Sequence, residues 1–177
     1  MMILTFFNAQ VMFLLTDPKM FNVPLDKIGY VSGLLASVAA PFSIFAALVA
    51  GYVFEICGRR KTILVCLLIA ACTLGITPWT APKLVPWLFV VKCAQQFFVN
   101  IPICNPLCAD YMQHDAIGRG TSINGLGLIV GEVLSMGVLF RFTADMSNTM
   151  AFAVATAAVI LLTLIVTLMI KEPEDLV

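Results

Sequence analysis

Charge is what this chain has least of. Asp, Glu, Lys and Arg make up 11% of its 177 residues, ten acidic side chains cancel ten basic ones, and there is one histidine. That balance gives no hint of a nucleic-acid partner, and none is expected. Also missing are a phosphate-cradling glycine loop, a catalytic triad and a pair of carboxylates placed for acid–base work, so no catalytic residue is assigned and the chain does not read as an enzyme. Its six cysteines show no CxxC spacing and fall mostly in apolar runs. Cys104 and Cys108 share a helix face, but His114 is the only histidine, so neither a metal nor another cofactor is expected. Low-complexity tracts, long linkers and any stretch resembling a soluble domain are absent too.

What fills the chain instead is hydrocarbon. Hydrophobic residues reach 61% and the mean hydropathy is +1.02, far from a soluble domain and diagnostic of a multi-pass membrane protein in contact with lipid. The apolar runs predict spans over 1–16, 28–54, 62–80, 85–109, 121–142 and 150–170, an all-α membrane protein whose residues 1–177 form a single bundle of six transmembrane helices. Residues 1–16 fall short of the about 20 that a span needs. Pro41 marks a kink in the second span, and Pro102 with Pro106 should bend the fourth. Trp79 and Trp87 sit where interfacial anchors belong, and Gly127 with Gly131 form a GxxxG pair suited to close helix packing.

One dense knot of charge interrupts this pattern, GYVFEICGRRKTIL from Gly51 to Leu64. Glu55, Arg59, Arg60 and Lys61 lie between two apolar runs, which places them at a membrane surface where two helices turn back on each other. Gly51 and Gly58 offer close backbone approach on either side of Glu55, and Glu55 with Arg59 are spaced to pair on one helix face. Gly51, Glu55, Gly58, Arg59, Arg60, Lys61 and Leu64 resemble the signature loop of the major facilitator superfamily of secondary transporters, which joins the second and third helices of a six-helix half. Glu55 stands where the family usually has Asp.

Elsewhere, Lys92, Gln95 and Gln96 are similar to the family's arginine, two residues, glutamine, glycine pattern in the fourth helix, with Lys for Arg and Gln96 for Gly. Ala109, Asp110, Tyr111, Arg119 and Gly120 resemble its passage from the fourth helix to the fifth. The drug and proton antiporter branch is not matched, because Glu132 follows Gly131 where that branch has proline. The resemblance implies one half of a major-facilitator-type bundle. It also implies a latch built from Gly51, Glu55, Gly58, Arg59, Arg60 and Lys61, with Asp110 and Arg119 nearby.

Two ionisable residues lie inside spans, where a charge is costly unless paired or hydrated. Lys92 and Glu132 are each roughly 10 to 15 Å from the outer surface at about 1.5 Å per residue, so an ion pair or water-bridged contact is predicted between them. Self-neutralisation and proton or substrate coupling are both open to such a pair. Amides form a second group: Asn8 and Gln10 on the first span, and Gln95, Gln96, Asn100 and Asn105 on the fourth. Each serves either as interhelical glue, worth about 1 kcal/mol, or as a solute ligand. Asn8, Gln95, Gln96 and Asn100 are the substrate-binding candidates.

Six spans put both termini on the side of the knot. Arg59, Arg60, Lys61, Arg119 and Lys171 lie there, against Lys19, Lys27, Lys83 and Arg141 opposite. The resemblance makes that side cytoplasmic or matrix-like. A complete family member has two six-helix halves around a cavity, so a second half or other membrane subunits are expected as partners, with the first half as the closer match. Transport of a small polar solute by alternating access is one function this allows. A non-transporting accessory or scaffold subunit of a larger membrane complex is the other.

Overall fold

The computed structural model describes residues 2–103, 117–143 and 145–169, and among these there is no strand. Six rods follow one another. They are α1 (Met2–Thr16), α2 (Leu25–Cys57), α3 (Arg59–Ile76), α4 (Phe89–Ile103), α5 (Ile117–Leu134) and α6 (Asn148–Met169). A 3₁₀ turn at Thr77–Thr80 extends α3, and a π turn at Leu84–Leu88 leads into α4. Val85 in that turn is extended because it precedes Pro86. A second π turn at Ser135–Leu139 and a last turn at Phe140–Thr143 continue α5.

Among the described residues, five stretches are long and apolar enough to cross a membrane: Leu25–Cys57, Arg59–Thr80, Leu84–Ile103, Gly118–Thr143 and Asn148–Leu168. α1, at 15 residues, is shorter, yet it is the helix the others surround. Ile3, Leu4, Phe6, Phe7, Gln10, Val11, Leu14 and Leu15 are all buried on it. Phe6 and Phe7 both meet Phe152 of α6 edge to face, with centroids 6.0 and 6.3 Å apart.

α2 packs mainly on α4, α3 on α4 and α6, and α5 on α1. The buried stripe of α2 runs Leu35, Ala39, Ala46, Ala50, Phe54, a helical spacing of mostly small side chains that lets α4 approach closely. Between α3 and α6 the close approach is at Gly75, where an added Cβ would lie 3.2 Å from Thr156 Oγ1.

The two helices turn back on each other at the charged knot more tightly than spans ending at 54 and resuming at 62 imply. α2 runs on through Cys57 and α3 begins at Arg59, so the connection is Gly58 alone. Its backbone, φ 79 and ψ 155, lies in a region essentially restricted to glycine. Thr62 secures the turn by donating its hydroxyl to Gly58 O at 2.8 Å. α2 also continues through Pro41 without interruption. The helix pair expected at Gly127 and Gly131 divides: Gly131 lies against Met2, whereas Gly127 faces open space.

Candidate functional site

Lys92 projects from α4 into the apolar interior and is 4% exposed. An ammonium in such a place must find oxygen or π density. It finds both on α1: Nζ donates to Asn8 Oδ1 at 2.6 Å and stands 4.5 Å above the centre of the Phe7 ring. One turn further along α4, Gln95 is fully buried, and neither atom of its amide has a hydrogen-bond partner among the described residues. Gln96 is half-buried. Asn100 donates its amide to the backbone oxygen of Gln96 at 2.6 Å, so its side chain serves its own helix.

A cavity of ≈ 380 Å³ opens beside Lys92, lined by Asn8, Lys92 and Gln96 with Ala36, Ala39, Ala40, Ser43 and Ile44 of α2. The α2 wall was missed in the sequence, although its signal is there. Ala36, Ala39, Ala40 and Ser43 fall at i, i+3, i+4 and i+7, a stripe of small side chains on one helix face.

The predicted Lys92–Glu132 contact is not formed. α5 packs along α1 and shares no packed face with α4, so α1 lies between the two charges. Their levels differ as well. Gly131 sits against Met2, and Ser135 donates to Met2 O at 3.1 Å. Lys92 meets Asn8, six residues further along α1, about 9 Å at helical rise. Glu132 is exposed on α5.

At the far end of α1 a polar relay joins two elements. Gln10 donates to Asn148 Oδ1 at 3.3 Å, and Asn148 donates to Asp17 Oδ2 at 2.8 Å. Gln10 therefore acts as glue between α1 and α6.

In the charged turn, Glu55 is exposed in the last turn of α2, Arg59 half-buried, and Arg60 and Lys61 exposed in the first turn of α3. Glu55 and Arg59 belong to different helices, so the i, i+4 pairing on one face does not arise. The signs run against the helix dipoles, which favour cations at a C-terminus and anions at an N-terminus. Gly51 is exposed, and among the described residues nothing lies within 4 Å of an added Cβ there. Arg119 is exposed in the first turn of α5, and Asp110 lies outside the described residues, as do Asn105, Cys104, Cys108 and His114. Among the described residues no three His, Cys, Asp or Glu side chains gather as a metal site requires.

The all-helical fold agrees with one comparison. The family model of the Major Facilitator Superfamily matches residues 1–176. The chain belongs to the major facilitator superfamily. No curated protein and no solved structure matches it. As a superfamily member it is a membrane transporter by kind and an integral, multi-pass protein in contact with lipid. Its charged turn and its buried Lys92 are two of the places where the bundle departs from plain hydrocarbon among the described residues.

Proposed function

We propose that this chain supplies one six-helix half of a secondary transporter that moves a small polar solute by alternating access. The observation carrying the reading is the buried Lys92 ammonium at the wall of an open cavity, with Asn8 and Gln96 beside it. A cation within a spanning bundle persists where it is paired or hydrated, and transporter folds place solute sites near the membrane midplane between their repeats.

The open faces of α2 and α5 add support. Ile44, Leu48 and Tyr52 of α2 and Ile123, Leu126 and Val133 of α5 are exposed. Glu132 shares the α5 surface, about 16 Å from the end of the rod at Thr143 by helical rise. A carboxylate at that depth against acyl chains is unfavourable, whereas a second six-helix unit packed on α2 and α5 covers it. In this arrangement Asn8, Lys92 and Gln96 are this half's share of the solute site, Gln95 supports it from behind, and Glu132 is a coupling residue at the seam between halves. Glu55, Arg59, Arg60 and Lys61, with Asp110 and Arg119, are the charges of a latch of individually weak ion pairs that breaks in each cycle, and Gly51 and Gly58 flank its carboxylate. Both termini share the cytoplasmic or matrix-like side with that latch.

Purification from native membranes in mild detergent, followed by reconstitution and solute counterflow, tests the proposal. A second six-helix unit in the particle together with saturable counterflow is the expected result. A particle in which unrelated subunits wall off α2 and α5, with no counterflow of any small polar solute, overturns it in favour of a scaffold role.

A further inference from the structure

We infer that the cavity between α1, α2 and α4 takes a small organic monocarboxylate whose counter-ion is Lys92. As to transport the inference rests on the function proposed above; as to binding it stands on the cavity alone.

Lys92 Nζ carries three N–H bonds, and one of them is used by Asn8. Its other neighbour is the Phe7 ring, which attracts a cation but does not neutralise it. No carboxylate faces it among the described residues, because Glu132 stands on the far side of α1. The ammonium therefore has donors to spare and one uncompensated charge, at the edge of a cavity with room for a ligand. One positive charge is neutralised by a monoanion. A dianion brings a second charge into the same apolar space, and a cation is repelled.

The opposite wall decides the rest of the ligand. Ala36, Ala39, Ala40 and Ile44 offer no hydrogen-bonding side chain, and Ser43 is the one polar group α2 contributes. A polyol bound there finds a single side-chain partner on that wall, Ser43, whereas a short aliphatic chain needs none. Gln96 and Asn8 add amide groups at the carboxylate end.

The test uses protein purified from native membranes with whatever chains remain bound, at constant ionic strength. Thermal unfolding is followed with butyrate, with its neutral isostere butyramide, and with inorganic phosphate. Butyrate is expected to raise the midpoint saturably, and butyramide to leave it unchanged, with phosphate weaker than butyrate. Lys92→Gln is expected to weaken butyrate binding by about ten- to hundredfold, and Lys92→Arg to retain most of it. Equal stabilisation by butyramide, stronger binding of phosphate, no effect of butyrate, or an unaltered affinity in Lys92→Gln each overturn the inference. Should Lys92→Gln fail to fold, the butyrate and butyramide contrast on the unsubstituted protein decides alone. Butyrate binding without flux of any solute refutes the transport reading and leaves the anion site standing. Flux of a neutral solute without butyrate binding does the reverse.

Discussion

The side chains of Lys92 and Asn8 join α4 to α1 through a 2.6 Å hydrogen bond inside an otherwise apolar bundle. Removing the acceptor while keeping the charge leaves a buried ammonium under-satisfied. Asn8→Ala is therefore expected to destabilise the protein by about 1.5–3 kcal/mol. The double variant Asn8→Leu, Lys92→Met should recover much of that loss while abolishing solute binding, since two apolar groups replace both partners. Denaturant unfolding in detergent measures both, and additive losses in the double variant would contradict the tie.

Glu132 and Lys92, by contrast, should be energetically independent. With α1 between them, a double-mutant cycle on Lys92→Met and Glu132→Gln is expected to give a coupling below about 0.5 kcal/mol. A coupling of several times that size would restore the ion pair suggested by the sequence. If Glu132 serves as a coupling residue, Glu132→Gln alters the pH dependence of flux while leaving butyrate affinity unchanged.

The two glycines of the charged turn should part company on substitution. Gly58→Ala forces a side chain into φ 79, ψ 155, at a cost of about 1–3 kcal/mol. Gly51→Ala meets open space and improves helix propensity, so it is expected to be neutral or stabilising by up to about 1 kcal/mol. Paired unfolding midpoints check this, and a larger loss at Gly51 would point to a neighbour absent from the described contacts.

Gln95 makes a prediction of the opposite sign. Its amide is enclosed without a partner among the described residues, so Gln95→Leu is expected to raise stability by about 1 kcal/mol or more, through relief of an unsatisfied polar group. A lowered midpoint would reveal a polar ligand or water bound to that amide.

Orientation can be read chemically. Cys57 is exposed at the end of α2, and Lys83 is exposed beyond the 3₁₀ turn that follows α3. In a background with no other cysteine, an impermeant maleimide should modify Cys57 from the cytoplasmic or matrix-like side and Lys83→Cys from the opposite one. Modification of both from one side would exclude α3 as a span.

Hydropathy made most of the architecture legible. The second, third and sixth spans appear within a few residues of their helices, because an apolar run bounded by charge is a direct record of membrane depth. Lateral order is not recorded in that way. Lys92 and Glu132 were paired on the premise that consecutive helices are neighbours, whereas α1, the most buried rod, packs against both α4 and α5. The knot was read as a loop because charge and glycine usually mark one. Glycine's freedom at Gly58 lets a single residue reverse the chain, so Arg59 to Lys61 became helix instead. Of the candidate solute ligands, Asn8 and Gln96 come together at one cavity, where Lys92, expected instead in an ion pair, joins them. Asn100 turns back to its own backbone, a choice made by local geometry that spacing alone does not encode.

With Gly58 as their whole connection and Thr62 holding its carbonyl, α2 and α3 have no slack between them. A displacement of the inner end of α2 therefore has to be absorbed at Gly58 or passed to the start of α3, because no further residue separates the two helices.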